Sequence, residues 1–213
     1  MNVVATLKRR LIGRGAIAGE RLKLLEQMPK HSVCAEIGVY RGNFSAAILQ
    51  IVEPRCLHLI DPWAYQERYT SSWFGGDLGG SQAVMDKLHE KVRLRFRNEI
   101  DHGRVVIHRN FSSEVSAQFP AAYFDWIYID ANHTYDAVRA DLRAFHPKVK
   151  HNGFITGDNY GDRPDWWWKD GVKRAVDEFV SDGWCDLESI SNDQFVLIKR
   201  AVQIAEGQMS EAS

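Results

Sequence analysis

The chain has 213 residues, with 27 Lys and Arg against 28 Asp and Glu, a formal charge of -1. It lacks the cationic surplus that marks nucleic-acid or anionic-membrane binding, so no partner of either kind is expected. With 45% hydrophobic and 26% charged residues it can bury one α/β-sized core, and no apolar run reaches the roughly 20 residues of a membrane span.

Three widely spaced cysteines, Cys34, Cys56 and Cys185, form no CxxC. They read as reduced, packed thiols of a cytoplasmic protein. The opening "MNVVATLKRRLIGRG" has too short an apolar stretch for a secretory signal and no cleavage region.

In chain order, residues 2–28 are expected to form one or two short helices, with Leu22, Leu25 and Met28 on one face and breaks at Gly13 and Gly15. From Ser32 short strands alternate with helices. Strands are predicted at 33–37, 56–60, 105–108, 125–129, 153–156, 185–190 and 194–199, and helices beginning near Asn43, Ser81, Ser112, Thr134 and Asp170. After Thr134, a candidate N-cap, Tyr135, Val138, Leu142 and Phe145 recur at helical intervals until Pro147. After Asp170, Val172, Ala175, Val176, Phe179 and Val180 make the same stripe, and Gly183 ends it.

This alternation predicts an α/β fold: a Rossmann-like open sheet of seven strands, mostly parallel, with helices on both faces. Only Asn192 and Asp193 separate the last two strands, too few for a crossover, so these must form a C-terminal antiparallel hairpin. The expected division is an N-terminal helical extension over 1–30, one domain over 31–200 and a frayed tail over 201–213.

Ligands of open parallel sheets bind beyond the carboxyl ends of the strands. Those ends read Glu36-Ile37-Gly38, Asp61, Asn110 with Ser112, Asp130, and Asp158-Asn159. A single such ending is an ordinary turn or helix cap; five in series point to a site. In "EIGVYRGNFS", Gly38 and Gly42 permit a tight turn. Their G-x-x-x-G spacing is not the G-x-G-x-x-G that presents a pyrophosphate to a helix. Asp61 is placed to accept ribose hydroxyls, and Glu36 to take a hydrogen bond from the loop or from a cationic ligand. The combination suits a ligand with a ribose and a positive charge.

"CAEIGVYRGNFSAAIL", "LHLIDPW", "VVIHRNFSSE", "FDWIYIDANHTY" and "GFITGDNY" together resemble the successive motifs of class I S-adenosylmethionine-dependent methyltransferases. They are most similar to the metal-dependent small-molecule O-methyltransferases, of the catechol type and of the bacterial macrolide-sugar branch. The resemblance covers about residues 31–200. It implies that Glu36, Gly38, Tyr40 and Gly42 line the methionine end of the cofactor, with Ser45 nearby. Asp61 then holds the ribose, Trp63 flanks the adenine and Ser112 touches its edge; Val39 and Asp130 belong to the same cofactor-binding set. It further implies Asp130, Asp158 and Asn159 as ligands of Mg²⁺ or another divalent cation, and His133 as the general base. Imidazole titrates close enough to neutrality to accept a hydroxyl proton. The pair Asp158-Asn159 matches the catechol type, where sugar-modifying relatives often carry two acidic residues.

The expected activity is methyl transfer from S-adenosylmethionine to a hydroxyl of a small molecule, a sugar or catechol-like diol. Two alternatives stand beside it: a nicotinamide-dependent oxidoreductase, which lacks its phosphate fingerprint here, and a non-catalytic cofactor-binding module. Two aromatic stretches, "DPWAYQERYTSSWFGGDLGGSQ" and "RPDWWWKDG", hang over the same rim. They read either as a lid and substrate wall or as an interface, such as that of a homodimer.

Overall fold

A computed structural model describes residues 19–69 and 72–200. The predicted breaks at Gly13 and Gly15 and the predicted tail over 201–213 lie outside the described residues.

Strand β1 (Val33–Ile37) is buried along its whole length, as a central strand must be when helices cover both faces of a sheet. It is followed by α2 (Asn43–Ile51), preceded by α1 (Gly19–Gln27), and paired on either side with β2 (Cys56–Ile60) and β4 (Phe124–Ile129). Helices α3 (Gly76–Gly79), α4 (Gln82–Arg95) and α5 (Arg97–Asp101) lead to β3 (Val105–His108), and α6 (Ser112–Ser116) leads to β4. Then come α7 (Tyr135–Phe145), β5 (Val149–Gly157), α8 (Gly171–Ser181), β6 (Cys185–Ser191) and β7 (Gln194–Lys199). The sheet has seven strands in the order β3-β2-β1-β4-β5-β7-β6. Strands β1 to β5 are parallel, and β7 runs antiparallel between β5 and β6, as the predicted hairpin requires.

The chain works outward from β1 through β2 to β3, then returns to place β4 on the other side of β1. This reversal opens a crevice at the carboxyl end of the sheet. Register decides what stands there. Ile37 is level with both Ile60 and Ile129, and Ile129 with Gly157. The next residues, Gly38, Asp61, Asp130 and Asp158, therefore form a row along one edge.

The pleat divides the core. Trp126 and Tyr128 face a layer with Leu22, Leu25, Ile48, Met85 and Val92. Ile127 and Ile129 face Val138, Leu142, Phe145, Val172, Val176 and Phe179. Helix α1 belongs to the first layer: Leu22 and Leu25 are fully buried, so the described part of the N-terminal extension is built into the domain.

Two sequence expectations shift. Strand β5 starts at Val149 rather than 153, because Lys150 to Asn152 are polar, with His151 and Asn152 exposed, and carry no apolar alternation to read. Thr134 stands at the N-cap of α7 as expected, yet its hydroxyl bonds the Asn132 side chain and not a helix N–H.

Far from the crevice, His58 of β2 is packed among Phe119, Tyr123 and Phe124 and bonds His108 Nε2 through Nδ1 at 2.9 Å. Burial, aided by His108, lowers its pKa from 6.5 to about 4. The unfolded chain takes up this proton as pH falls through 6.5, while the folded chain refuses it until about 4. Stability should therefore decline over that window, by at most about 3 kcal/mol. Thermal unfolding across the window should show a steeper acid loss for wild type than for His58→Gln. Equal slopes would contradict the assignment.

Candidate active site

The turn after β1 is held from three directions. Gly38 has φ 93°, and a Cβ built there would lie 2.1 Å from the Asp130 carbonyl oxygen, so only glycine lets the ends of β1 and β4 meet. Asp61 knits the loops together. Its Oδ2 accepts the backbone N–H groups of Val39 and Tyr40, each at 2.9 Å, and its Oδ1 accepts that of Trp63 at 2.7 Å. Burial raises the Asp61 pKa, and these three bonds pull against it. The Trp63 indole N–H returns to the Tyr40 carbonyl at 2.9 Å, closing the frame.

Glu36, only 2% exposed, accepts the Ser45 hydroxyl. Burial pushes its pKa up to about 8 against the pull of that bond. Opposite, the Ser112 hydroxyl donates to Asp141 Oδ1 at 2.5 Å, and burial raises the Asp141 carboxyl to about 6.

At the centre of the row, Asp130 and Asp158 face each other across a cation that the chain itself supplies. The Arg21 Nη2 donates to one carboxylate oxygen of each. Asp130 Oδ1 accepts from His133 Nε2 at 3.1 Å, and Asp158 Oδ1 accepts from Gln194 Nε2. Tyr128 in turn donates to Gln194 Oε1 at 2.8 Å, orienting that amide. Burial alone would raise the Asp130 pKa, but the charge of Arg21 and the hydrogen bond from His133 outweigh it and hold the carboxyl below its ordinary value. Asp158 moves the other way, raised by burial and by the charge of Asp130. A carboxylate only accepts, so the proton of this bond sits on His133 Nε2.

The two aromatic stretches meet over this centre. Trp167 packs on Tyr69 and Phe74, with ring centroids 5.2 and 6.5 Å apart, and Trp168 stands edge-on to His133 at 4.8 Å. The indole N–H groups of Trp167 and Trp168 are buried without a hydrogen-bond partner. This packing makes the loops a wall of the site, while Trp73 and Trp166 keep more than a third of their surface exposed at the rim.

Most of these groups line one cavity of about 640 Å³. Of the sequence-predicted residues, Glu36, Gly38, Val39, Tyr40, Asp61, Trp63, Ser112, Asp130, His133, Asp158 and Asn159 line it. Gly42 and Ser45 do not. Gly42 turns into α2 against Phe96, and Ser45 is fully buried behind Glu36, so it positions that carboxyl instead of touching a ligand. A larger groove of about 950 Å³ lies around His146, Trp184 and Arg200. Its polar groups are committed to backbone carbonyls and to Asp186, which leaves no facing acid and base.

The oxygen donors of Asp130, Asp158 and Asn159 suit Mg²⁺ in kind, but the arrangement does not fit it. Each of the four carboxylate oxygens of the two aspartates already accepts from Arg21, His133 or Gln194. Among the described residues, no group of three or more His, Cys, Asp or Glu is placed to hold a metal ion. The position expected for a metal is occupied by a countercharge delivered by α1, outside every motif that suggested the ligands.

Residues 35–160 match a protein-family profile described as a methyltransferase domain. The chain belongs to that family. A search of curated proteins found none that matches this methyltransferase. Among solved structures, the O-methyltransferase NovP superposes with a TM-score of 0.59 at 20% identity, covering 85% of this chain and 80% of that one. The O-methyltransferase TomG from Streptomyces achromogenes, in complex with SAM, gives 0.61 at 16% identity over 94% and 91% of the two chains. The SAH-bound Podospora anserina methyltransferase PaMTH1 gives 0.57 at 16% over 85% and 76%. At these identities the likeness is one of fold. No helix among the described residues of the methyltransferase is long and apolar enough to cross a membrane.

Three site residues escaped the sequence reading: Arg21, Asp141 and Gln194. Asp141 had a signal. It sits on the buried stripe Val138, Leu142, Phe145 of α7, where a carboxylate is out of place unless it serves a site. Arg21 and Gln194 had none, since both are local surface-type residues until the fold brings them in.

Proposed function

We propose that this methyltransferase moves the methyl group of S-adenosylmethionine to a hydroxyl of a small molecule, a diol on a flat or sugar ring. One observation carries the reading: a single cavity joins the Gly38–Asp61 frame to the Asp130–His133 pair and the tryptophan wall. The residues fit the cofactor. Glu36, Asp61 and Asp141 surround one end with buried acceptors suited to an ammonium group, ribose hydroxyls and an amino-substituted base, and no phosphate cradle is present. The SAM complex of TomG and the SAH-bound PaMTH1 support the same ligand.

The cofactor supplies an electrophilic methyl carbon on a sulfonium, whose C–S electron pair returns to sulfur as the bond breaks. The chain supplies base and placement. Asp130 fixes His133 with Nε2–H toward itself, so Nδ1 is left to take the acceptor hydroxyl proton while the oxygen lone pair forms the new C–O bond. Holding the oxygen in line with the methyl group supplies much of the rate. The flat faces of Trp167 and Trp168, which line the cavity, match a ring.

Calorimetric titration with S-adenosylmethionine tests the reading. Wild type should bind, and Asp61→Ala should bind about 30-fold more weakly or worse, since bonds to a charged acceptor carry about 1.5–3 kcal/mol each. Undiminished affinity in the variant would overturn the cofactor assignment. Transfer of labelled methyl to a panel of catechols and hexose glycosides separates an enzyme from a binding module.

A further inference from the structure

We infer that Arg21, not a divalent cation, is the resident positive charge of the Asp130–Asp158 pair, so that this methyltransferase needs no metal to neutralise and hold its central carboxylates. The inference rests on the reading given above for the cavity. Its first support is occupancy. The guanidinium bridges the two carboxylates, and His133 and Gln194 contact their other oxygens. A divalent ion shared by the two carboxylates would have to displace the guanidinium that lies between them.

The second support is that Arg21 is built in. Its guanidinium carbon lies 5.2 Å from the Phe44 ring centroid and 5.4 Å from that of Tyr128, two aromatic faces that favour a cation. Its carrier helix α1 is anchored by Leu22, Leu24, Leu25 and Met28, all buried in the core. Withdrawing Arg21 to admit a metal would expose that apolar face or strand the side chain out of its slot. A planar guanidinium also suits paired carboxylates better than a point charge does.

The third support is chemical. Arg21 lines the cavity beside the two carboxylates that it pairs. Arg21 is therefore a positioning residue: it holds Asp130 charged and in place, and Asp130 in turn holds His133.

Manganese(II), followed by the loss of its free-ion electron paramagnetic resonance signal, tests this on the full chain freed of metal with EDTA. Wild type should leave the ion free, and its melting temperature should not move with MgCl₂. Arg21→Ala uncovers the carboxylates and should gain manganese binding, whereas Arg21→Lys should stay close to wild type. Stoichiometric manganese binding by wild type would overturn the inference without any variant having to fold. So would an Arg21→Ala protein that folds yet ignores the ion. Calorimetry with S-adenosylmethionine on the same wild-type sample keeps the two readings apart: failure to bind the cofactor sinks the proposed function, while cofactor binding together with tight manganese binding sinks only the role of Arg21.

Discussion

Replacing His133 by alanine should lower kcat by about 10²- to 10⁴-fold, the usual worth of a positioned general base, and leave S-adenosylmethionine affinity nearly unchanged. The separation follows from the geometry. His133 bonds Asp130 at 3.1 Å and packs on Trp168, whereas the Asp61 frame is built on Val39, Tyr40 and Trp63. Without Nδ1 to take the proton, the acceptor must ionise by itself. The residual rate should then climb about tenfold per pH unit below the acceptor pKa, with the wild-type dependence shallower. Rates with a turned-over diol across pH, beside calorimetry, provide the check. An alanine variant with wild-type kcat would show that the proton leaves by another route.

Gly38→Ala should be the most damaging of the glycine-to-alanine changes at the described positions for which the surroundings of an added Cβ are known. The added Cβ would lie 2.1 Å from the Asp130 carbonyl oxygen and 2.7 Å from the Ala131 Cα, both backbone atoms that cannot swing aside, and φ of 93° disfavours any side chain. Relief requires β1 and β4 to part at the crevice, which pulls apart the row of Gly38, Asp61 and Asp130. A loss of about 3 kcal/mol or more is expected, a drop of roughly 6–12 °C in Tm for a domain of this size. Cofactor binding should fall with it, because Val39 and Tyr40, which Asp61 holds, follow directly on Gly38. A melting curve within about 2 °C of wild type would show that the turn yields more easily than its packing implies.

Much of this molecule was legible from local pattern. Strand β1, strand β2, strand β3 and the final strand begin and end where alternation and turn residues put them, because each is a short apolar run bounded by residues that cannot continue it. The two-residue gap at Asn192 and Asp193 dictated an antiparallel pair whatever the rest of the sheet did. The row of polar strand ends was equally readable, since the residue after a buried strand must meet either a turn or a ligand. Asp141 lay within reach of the same reasoning, as a charge on an apolar helical stripe.

What the tertiary structure alone decided is how charge is balanced at the centre. Arg21 and Asp130 are 109 residues apart in sequence, and nothing in either neighbourhood marks them as partners. The sequence placed two carboxylates on one edge, and its resemblance to metal-dependent O-methyltransferases pointed to a divalent cation between them, not to a side chain. Folding α1 onto the first core layer brought a guanidinium between them, because Leu22 and Leu25 must be buried and Arg21, next to them on the helix, is carried inward to the crevice. The same holds for Gln194, whose role depends on its meeting Asp158, 36 residues away. Periodicity determines which residues lie in strands and helices. Only long-range packing determines which charges share a site.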